Sequence, residues 1–147
     1  MFLNETILYA AALLVVSASG AVCDVTFKFI PATDAGKMAS ATQPALLADG
    51  DAFRMSLQMR DKSSHVEKHM TWNEEIIIQE GDVLLNYGGN AVNEVELSPG
   101  EFNGKSIVGG SSVVMHAGDI VIIPAGTWHE EVIRTPVMRY ILFKTKK

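Results

Sequence analysis

At 147 residues and 48% apolar content the chain suits one domain with its own core. The net charge is −5, and Lys144, Lys146 and Lys147 form only a short basic tail, which excludes the footprint of a nucleic-acid binder. The single cysteine, Cys23, excludes an intrachain disulfide and any Cys-rich zinc site.

Ile7 to Val16 is an unbroken apolar run, and the small residues Ser17 to Ala21 follow it. This order resembles a secretory signal peptide cleaved near Ala18 or Ala21. Residues 1–21 are therefore read as a leader and residues 22–147 as one mature domain. The run is shorter than the roughly 20 apolar residues of a membrane span, so no stable span is expected in the mature chain. Two alternatives stay open. Glu5 stands where a basic start is usual, which leaves room for a retained N-terminal helix or arm. Cys23 suits a lipid anchor, although the bulky Val22 before it does not. Cleavage implies a secreted or periplasmic protein, and retention a cytoplasmic one.

Downstream the pattern is β throughout. Val25, Phe27 and Phe29 alternate with Thr26 and Lys28, which predicts a strand ending at Pro31. Ala32 to Asp51 is small, polar and turn-rich, and reads as a loop covering one end of a barrel. Phe53, Met55, Leu57 and Met59 alternate with Arg54, Ser56, Gln58 and Arg60, a half-buried strand. His65, Glu67 and His69 fall on one face of the next strand. After a turn at Met70 to Asn73, Glu74, Ile76 and Ile78 share one face. Glu75 and Ile77 take the other, with Glu75 the solvated carboxylate. Gly81 and Asp82 turn the chain into Val83 to Tyr87, and Gly88-Gly89-Asn90 turns it again. Pro99 to Gly104 reads as a loop and Gly109-Gly110 as a turn. Ser112 to Met115, Ile120 to Ile123, Glu130 to Ile133 and Val137 to Phe143 complete the strands. The four consecutive apolar residues from Ile120 suit a strand covered on both faces. Many short strands with regular turn signals indicate an all-β jelly roll in a single domain.

Pro124 and Gly126 fix a tight turn, and His129 stands just beyond it. A constrained turn holds an imidazole in one place, as a metal ligand or an acid/base group requires. If His69 and Glu74 face the barrel interior they converge with His129. Two imidazoles and a carboxylate suit a divalent first-row metal with open positions. Glu67 adds a second carboxylate, either as a fourth ligand or as a general acid/base. The added oxygen favours Fe(II), Mn(II) or Zn. Plainer readings stand beside these: His69 as a core histidine bonded to backbone, Glu74 as a solvated strand-end charge, Glu67 outside any ligand set. His65 reads as a surface or substrate-rim residue and His116 as solvent-facing. Trp72, Trp128, Tyr87 and Tyr140 read as packing residues.

Gly118, Pro124, Gly126 and His129 together resemble the second motif of the cupin superfamily, G-x5-P-x-G-x2-H, with Ile133 in place of its trailing Asn. The first motif, H-x-H-x3,4-E-x6-G, is matched by His69, Glu74 and Gly81, with Glu67 in place of the first His. The resemblance covers about residues 53 to 143. A Pro99-Gly100-Glu101 loop ahead of the Gly109-Gly110 turn is similar to a group of small single-domain cupins. The resemblance implies a cupin jelly-roll barrel holding a divalent metal on His69, Glu74, His129 and Glu67. It also implies a small-molecule substrate, with isomerase, lyase or dioxygenase chemistry. The alternative is a non-catalytic ligand-binding barrel with a degenerate or empty metal site. Pairing as a homodimer is implied too, and Val25 to Phe29 would offer an edge strand for it. The fold by itself fixes no reaction.

Overall fold

A computed structural model describes residues 27–147. In chain order the elements are α1 (Ala32–Met38), β1 (Ala45–Asp49), β2 (Phe53–Arg60), β3 (Val66–His69), β4 (Trp72–Glu80), β5 (Val83–Tyr87), β6 (Asn90–Val92), β7 (Val95–Ser98), β8 (Glu101–Gly104), β9 (Ser106–Val108), β10 (Ser111–Met115), β11 (Ile120–Ile123), β12 (His129–Ile133) and β13 (Met138–Lys146). One antiparallel sheet runs β1-β2-β13-β4-β11 and a second runs β10-β5-β12-β3-β8-β7, while β6 and β9 form a small ribbon. The molecule is an all-β jelly roll.

The period-2 pattern of β4 sets the interior. Glu74, Ile76 and Ile78 are buried on one face, while Glu75 and Ile77 are half-buried on the other. Ile76, Ile78, Ile123, Met138 and Tyr140 of the first sheet pack with Val83, Leu85 and Met115 of the second. The two sheets therefore face each other across one apolar core. Along β4 the inward residues run from Ile78 to Glu74, and along β13 from Met138 through Tyr140 to Lys144. One end of the sandwich is thus apolar and the other ionisable. At the apolar end, Gly81 turns the chain with φ +87°, where an added Cβ would lie 2.3 Å from the Val137 carbonyl oxygen. Glycine is required there on both counts.

Several expectations change. The expected leader, residues 1–21, with Cys23, Val25 and Thr26, lies outside the described residues. Phe27 to Phe29 forms no strand, and Phe27 and Phe29 are 96% and 78% exposed. Ala32 to Asp51 is not a loop throughout; it holds α1 and β1, because small residues suit a short helix as readily as a turn. The turn after His69 is shorter than expected, since β4 begins at Trp72. Pro99 to Gly104 is mostly strand β8, and β6, β7 and β9 carried no clear alternation to reveal them. β11 is an edge strand, with Ile120 and Ile122 each 66% exposed, not a strand covered on both faces. Apolar runs alone do not tell which faces find a neighbour. Glu75 is half-buried and accepts a hydrogen bond from Thr145 Oγ1 at 2.9 Å. Tyr87 is exposed, whereas Tyr140 is buried as expected.

Candidate metal centre

Each site residue is delivered by its own local geometry. Thr127 N donates to Pro124 O at 3.1 Å, closing a four-residue turn with Gly126 at φ +86° in its third place. A positive φ there is the demand that glycine meets. Gly126 N donates to His69 O at 2.7 Å, so the turn is anchored on the end of β3. His129 opens β12 and pairs with Glu67 of β3. Glu74 comes from the inward face of β4, opposite Lys144 of β13.

These side chains meet. His69 Nε2 lies 3.2 Å from Glu74 Oε1, and His129 Nε2 lies 3.1 Å from Glu74 Oε2 and 3.7 Å from Glu67 Oε1. The imidazole centroids are 5.6 Å apart. Glu67, His69 and His129 can present ligand atoms all within 4.8 Å of one another. His129 is 1% exposed, and its Nε2 has no aligned hydrogen bond despite the carboxylates around it. Both rings are held from behind. His129 Nδ1 faces Thr127 O at 3.1 Å, and His69 Nδ1 faces Glu101 Oε2 in a very short contact. Outer acceptors of this kind fix a proton on Nδ1 and leave Nε2 as the inward atom, which without an ion carries a proton toward Glu74 and would give it up to bind a metal. Two inward Nε2 atoms with two carboxylates fit a divalent first-row ion.

The charges are strongly coupled. Burial works to raise the Glu74 pKa, but His129, His69 and Lys144 hold it well below the ordinary carboxylate range. Burial works to lower both histidines, yet the Glu74 carboxylate raises each above the ordinary imidazole value, with help from Glu101 at His69 and from Glu67 at His129. Glu131, two residues along β12 and 3% exposed, is pushed up to about 7, chiefly by burial. Its neighbour Arg60 has Nε 3.1 Å from Glu131 Oε2 and donates from Nε to Tyr140 Oη at 2.8 Å.

His65 precedes β3 and is exposed, and His116 is exposed beside Asp119. Trp128 is buried, with Lys68 Nζ 4.4 Å from its ring centroid, and Trp72 is half-buried. Three contributors escaped the sequence reading. Glu101 sat in a stretch taken for a loop; as strand β8 it pairs directly with His69. Lys144 was counted into a basic tail, yet its Nζ is 2.6 Å from Glu74 Oε1. Glu131 lay two residues beyond His129, and that spacing was the signal for a shared face.

Neither a protein-family model nor a curated protein matches this sequence. Solved structures do. BH2720 from Bacillus halodurans aligns with TM-score 0.55 at 18% identity, over 71% of this chain and 70% of that one. Hydroquinone 1,2-dioxygenase from Sphingomonas sp. TTNP3 aligns with TM-score 0.53 at 13% identity, over 90% of both chains. KdgF from Halomonas sp. aligns with TM-score 0.52 at 13% identity, over 71% of this chain and 80% of that one. These likenesses establish the fold, which is that of a small cupin.

Proposed function

We propose that this barrel is a metal-dependent enzyme acting on a small molecule beside His69, His129, Glu67 and Glu74. One observation carries the reading: both imidazoles turn Nε2 toward the same Glu74 carboxylate while outer acceptors occupy Nδ1. His69, His129 and Glu67 would hold the ion, with Glu74 as a further ligand. A bound divalent ion would supply Lewis-acid activation of a substrate oxygen or an open position for dioxygen. The chain's own residues do the rest. Glu101 and Thr127 O fix the imidazole orientations. Lys144 helps His129 and His69 to keep Glu74 ionised. Glu67 is 25% exposed in its side chain, enough to meet a ligand, and can carry a proton at its free carboxylate oxygen. Isomerase, lyase and dioxygenase chemistry all suit this set, and the shared fold of a hydroquinone dioxygenase is compatible with the last. Iron, manganese and zinc are the metals that the donors favour. The apolar run Ile7 to Val16 and the small residues after it support export to a secreted or periplasmic location.

A second reading is a non-catalytic ligand-binding barrel. Lys144 favours it, because an ammonium 2.6 Å from Glu74 already compensates that carboxylate. Metal content of the purified protein, measured by mass spectrometry beside His69→Ala and His129→Ala, separates the two. Near-stoichiometric metal in the wild type, lost in both variants, is the expected result. A folded wild type that takes up no added Fe(II), Mn(II) or Zn(II) would sink the metalloenzyme.

A further inference from the structure

The inward face of β2 is unusual for a sandwich. Arg54, Ser56, Gln58 and Arg60 line a cavity of about 260 Å³ together with Glu67, His69, Glu74, Tyr140 and Lys144. The apolar residues of the same strand point the other way. Phe53 meets Phe143 with ring centroids 5.9 Å apart, and Leu57 lines a second hollow beside Ala32 and Ala35 of α1, which Gln58 and Tyr140 also reach. A strand that turns its polar set inward and its apolar set outward sacrifices core packing on that wall, and ligand recognition is what the polar set offers in return.

Arg60 is the group best built for it. Its Nε donates to Tyr140 Oη at 2.8 Å and lies 3.1 Å from Glu131 Oε2, an ion-pair contact without an aligned hydrogen bond. Its two Nη groups have no hydrogen bond or ion pair among the described residues. The side chain keeps 35% of its surface exposed. The other two cations on this wall are engaged, Arg54 with Asp49 and Lys144 with Glu74. An anchored guanidinium with a free planar fork matches a carboxylate by two parallel hydrogen bonds. Ser56 Oγ accepts from Gln58 Nε2 at 2.9 Å and keeps its own proton to donate nearby. The volume lies just below the range of about 300–1,000 Å³ for drug-sized ligands, so the occupant is small.

We propose that the cavity takes a small carboxylate, held by the free Nη fork of Arg60. This names the ligand class of the site described above and rests on that cavity being a small-molecule site. It does not require the metal. The test is calorimetric titration with malonate, malonamide and inorganic phosphate, run on protein stripped with chelator and again after Mn(II) is restored. Malonate binds in both states and malonamide in neither. The variant Arg60→Gln/Glu131→Gln removes both members of the buried pair, so no charge is stranded. Its fold is checked by circular dichroism, and it loses malonate affinity at least tenfold. Arg60→Lys keeps the charge without the fork and also weakens binding. Arg134→Gln, an exposed arginine that does not line the cavity, binds as the wild type does.

Equal binding of malonate and malonamide would overturn the proposal. So would phosphate binding as tightly as malonate, or unchanged malonate affinity in the folded Arg60 variants. Malonate that binds only after Mn(II) is restored would assign recognition to the ion and likewise overturn the role of Arg60. Malonate that binds the stripped protein through Arg60, in a chain that takes up no metal, would uphold this inference while the enzyme reading fails.

Discussion

Lys144 Nζ and Glu74 Oε1 stand 2.6 Å apart, with the Glu74 side chain 6% exposed, so a buried carboxylate shared by two imidazoles is also tied to an ammonium. The pair sits at adjacent positions of β13 and β4, and strand register alone brings the two together. Removing Lys144 strands Glu74 among neighbours that are charged only when protonated. Lys144→Met is expected to cost about 3 kcal/mol in chelator, the lower end for breaking a buried pair. Added Mn(II) is expected to restore much of that loss. Urea unfolding with and without chelator measures both effects, and an unchanged midpoint in chelator would contradict the first.

The metal-free protein is expected to lose stability as pH rises. His69 and His129 have folded pKa values above their ordinary 6.5, so their contribution is complete below pH 6.5 and is lost as pH climbs through the folded values. Glu131, raised from 4.5 to about 7, acts with the same sign between those values. Glu74 is depressed from 4.5, so its contribution is complete above that pH and is lost only in stronger acid. Unfolding midpoints in chelator at pH 5, 6, 7 and 8 should fall steadily. A rise across this range would show that the imidazoles are not held protonated by Glu74.

Glu101 holds His69 from the Nδ1 side, opposite the Nε2 that faces Glu74. Glu101→Gln keeps the shape and removes the charge behind Nδ1. Divalent metal affinity is expected to weaken about 10–100-fold, as for other partners that orient a ligating histidine. A Mn(II) or Zn(II) titration reads the change directly. Unaltered affinity would mean that the His69 ring is held by packing alone.

Two glycines separate strain from crowding. At Gly126 an added Cβ meets nothing nearer than Met70 Sδ at 3.9 Å, so Gly126→Ala pays only for φ +86°, about 1–2 kcal/mol. At Gly81 the same Cβ would meet Val137 O at 2.3 Å and Thr135 Oγ1 at 2.6 Å. Gly81→Ala is therefore expected to lower the melting temperature by clearly more than Gly126→Ala. Equal losses would contradict the crowding argument.

Much of the β order was legible because period-2 alternation is local. Phe53 to Arg60 and Val83 to Tyr87 are strands with the expected bounds, and Glu74, Ile76 and Ile78 share the buried face of β4. Alternation does not tell which face is inside. In β2 the polar set faces the cavity, and the apolar set lies on the outer side of the sheet. Edge position was equally hidden, as Ile120 and Ile122 show. Phe27 and Phe29 alternate without pairing, because a strand needs a partner that sequence spacing cannot supply.

The sequence by itself determined where the chain turns and which side chains offer metal-ligand donor atoms. Gly81, Pro124 and Gly126 act through their own backbone limits, and His69, Glu74 and His129 bring side chains whose donor atoms depend on no neighbour. Only the tertiary structure decided which groups meet. Glu101 reaches His69 across 32 residues, Lys144 is matched with Glu74 by register across 70, and Arg60 meets Tyr140 across 80. Those partnerships arise from the pairing and closure of strands distant in the chain, and pairing is a property of two segments at once.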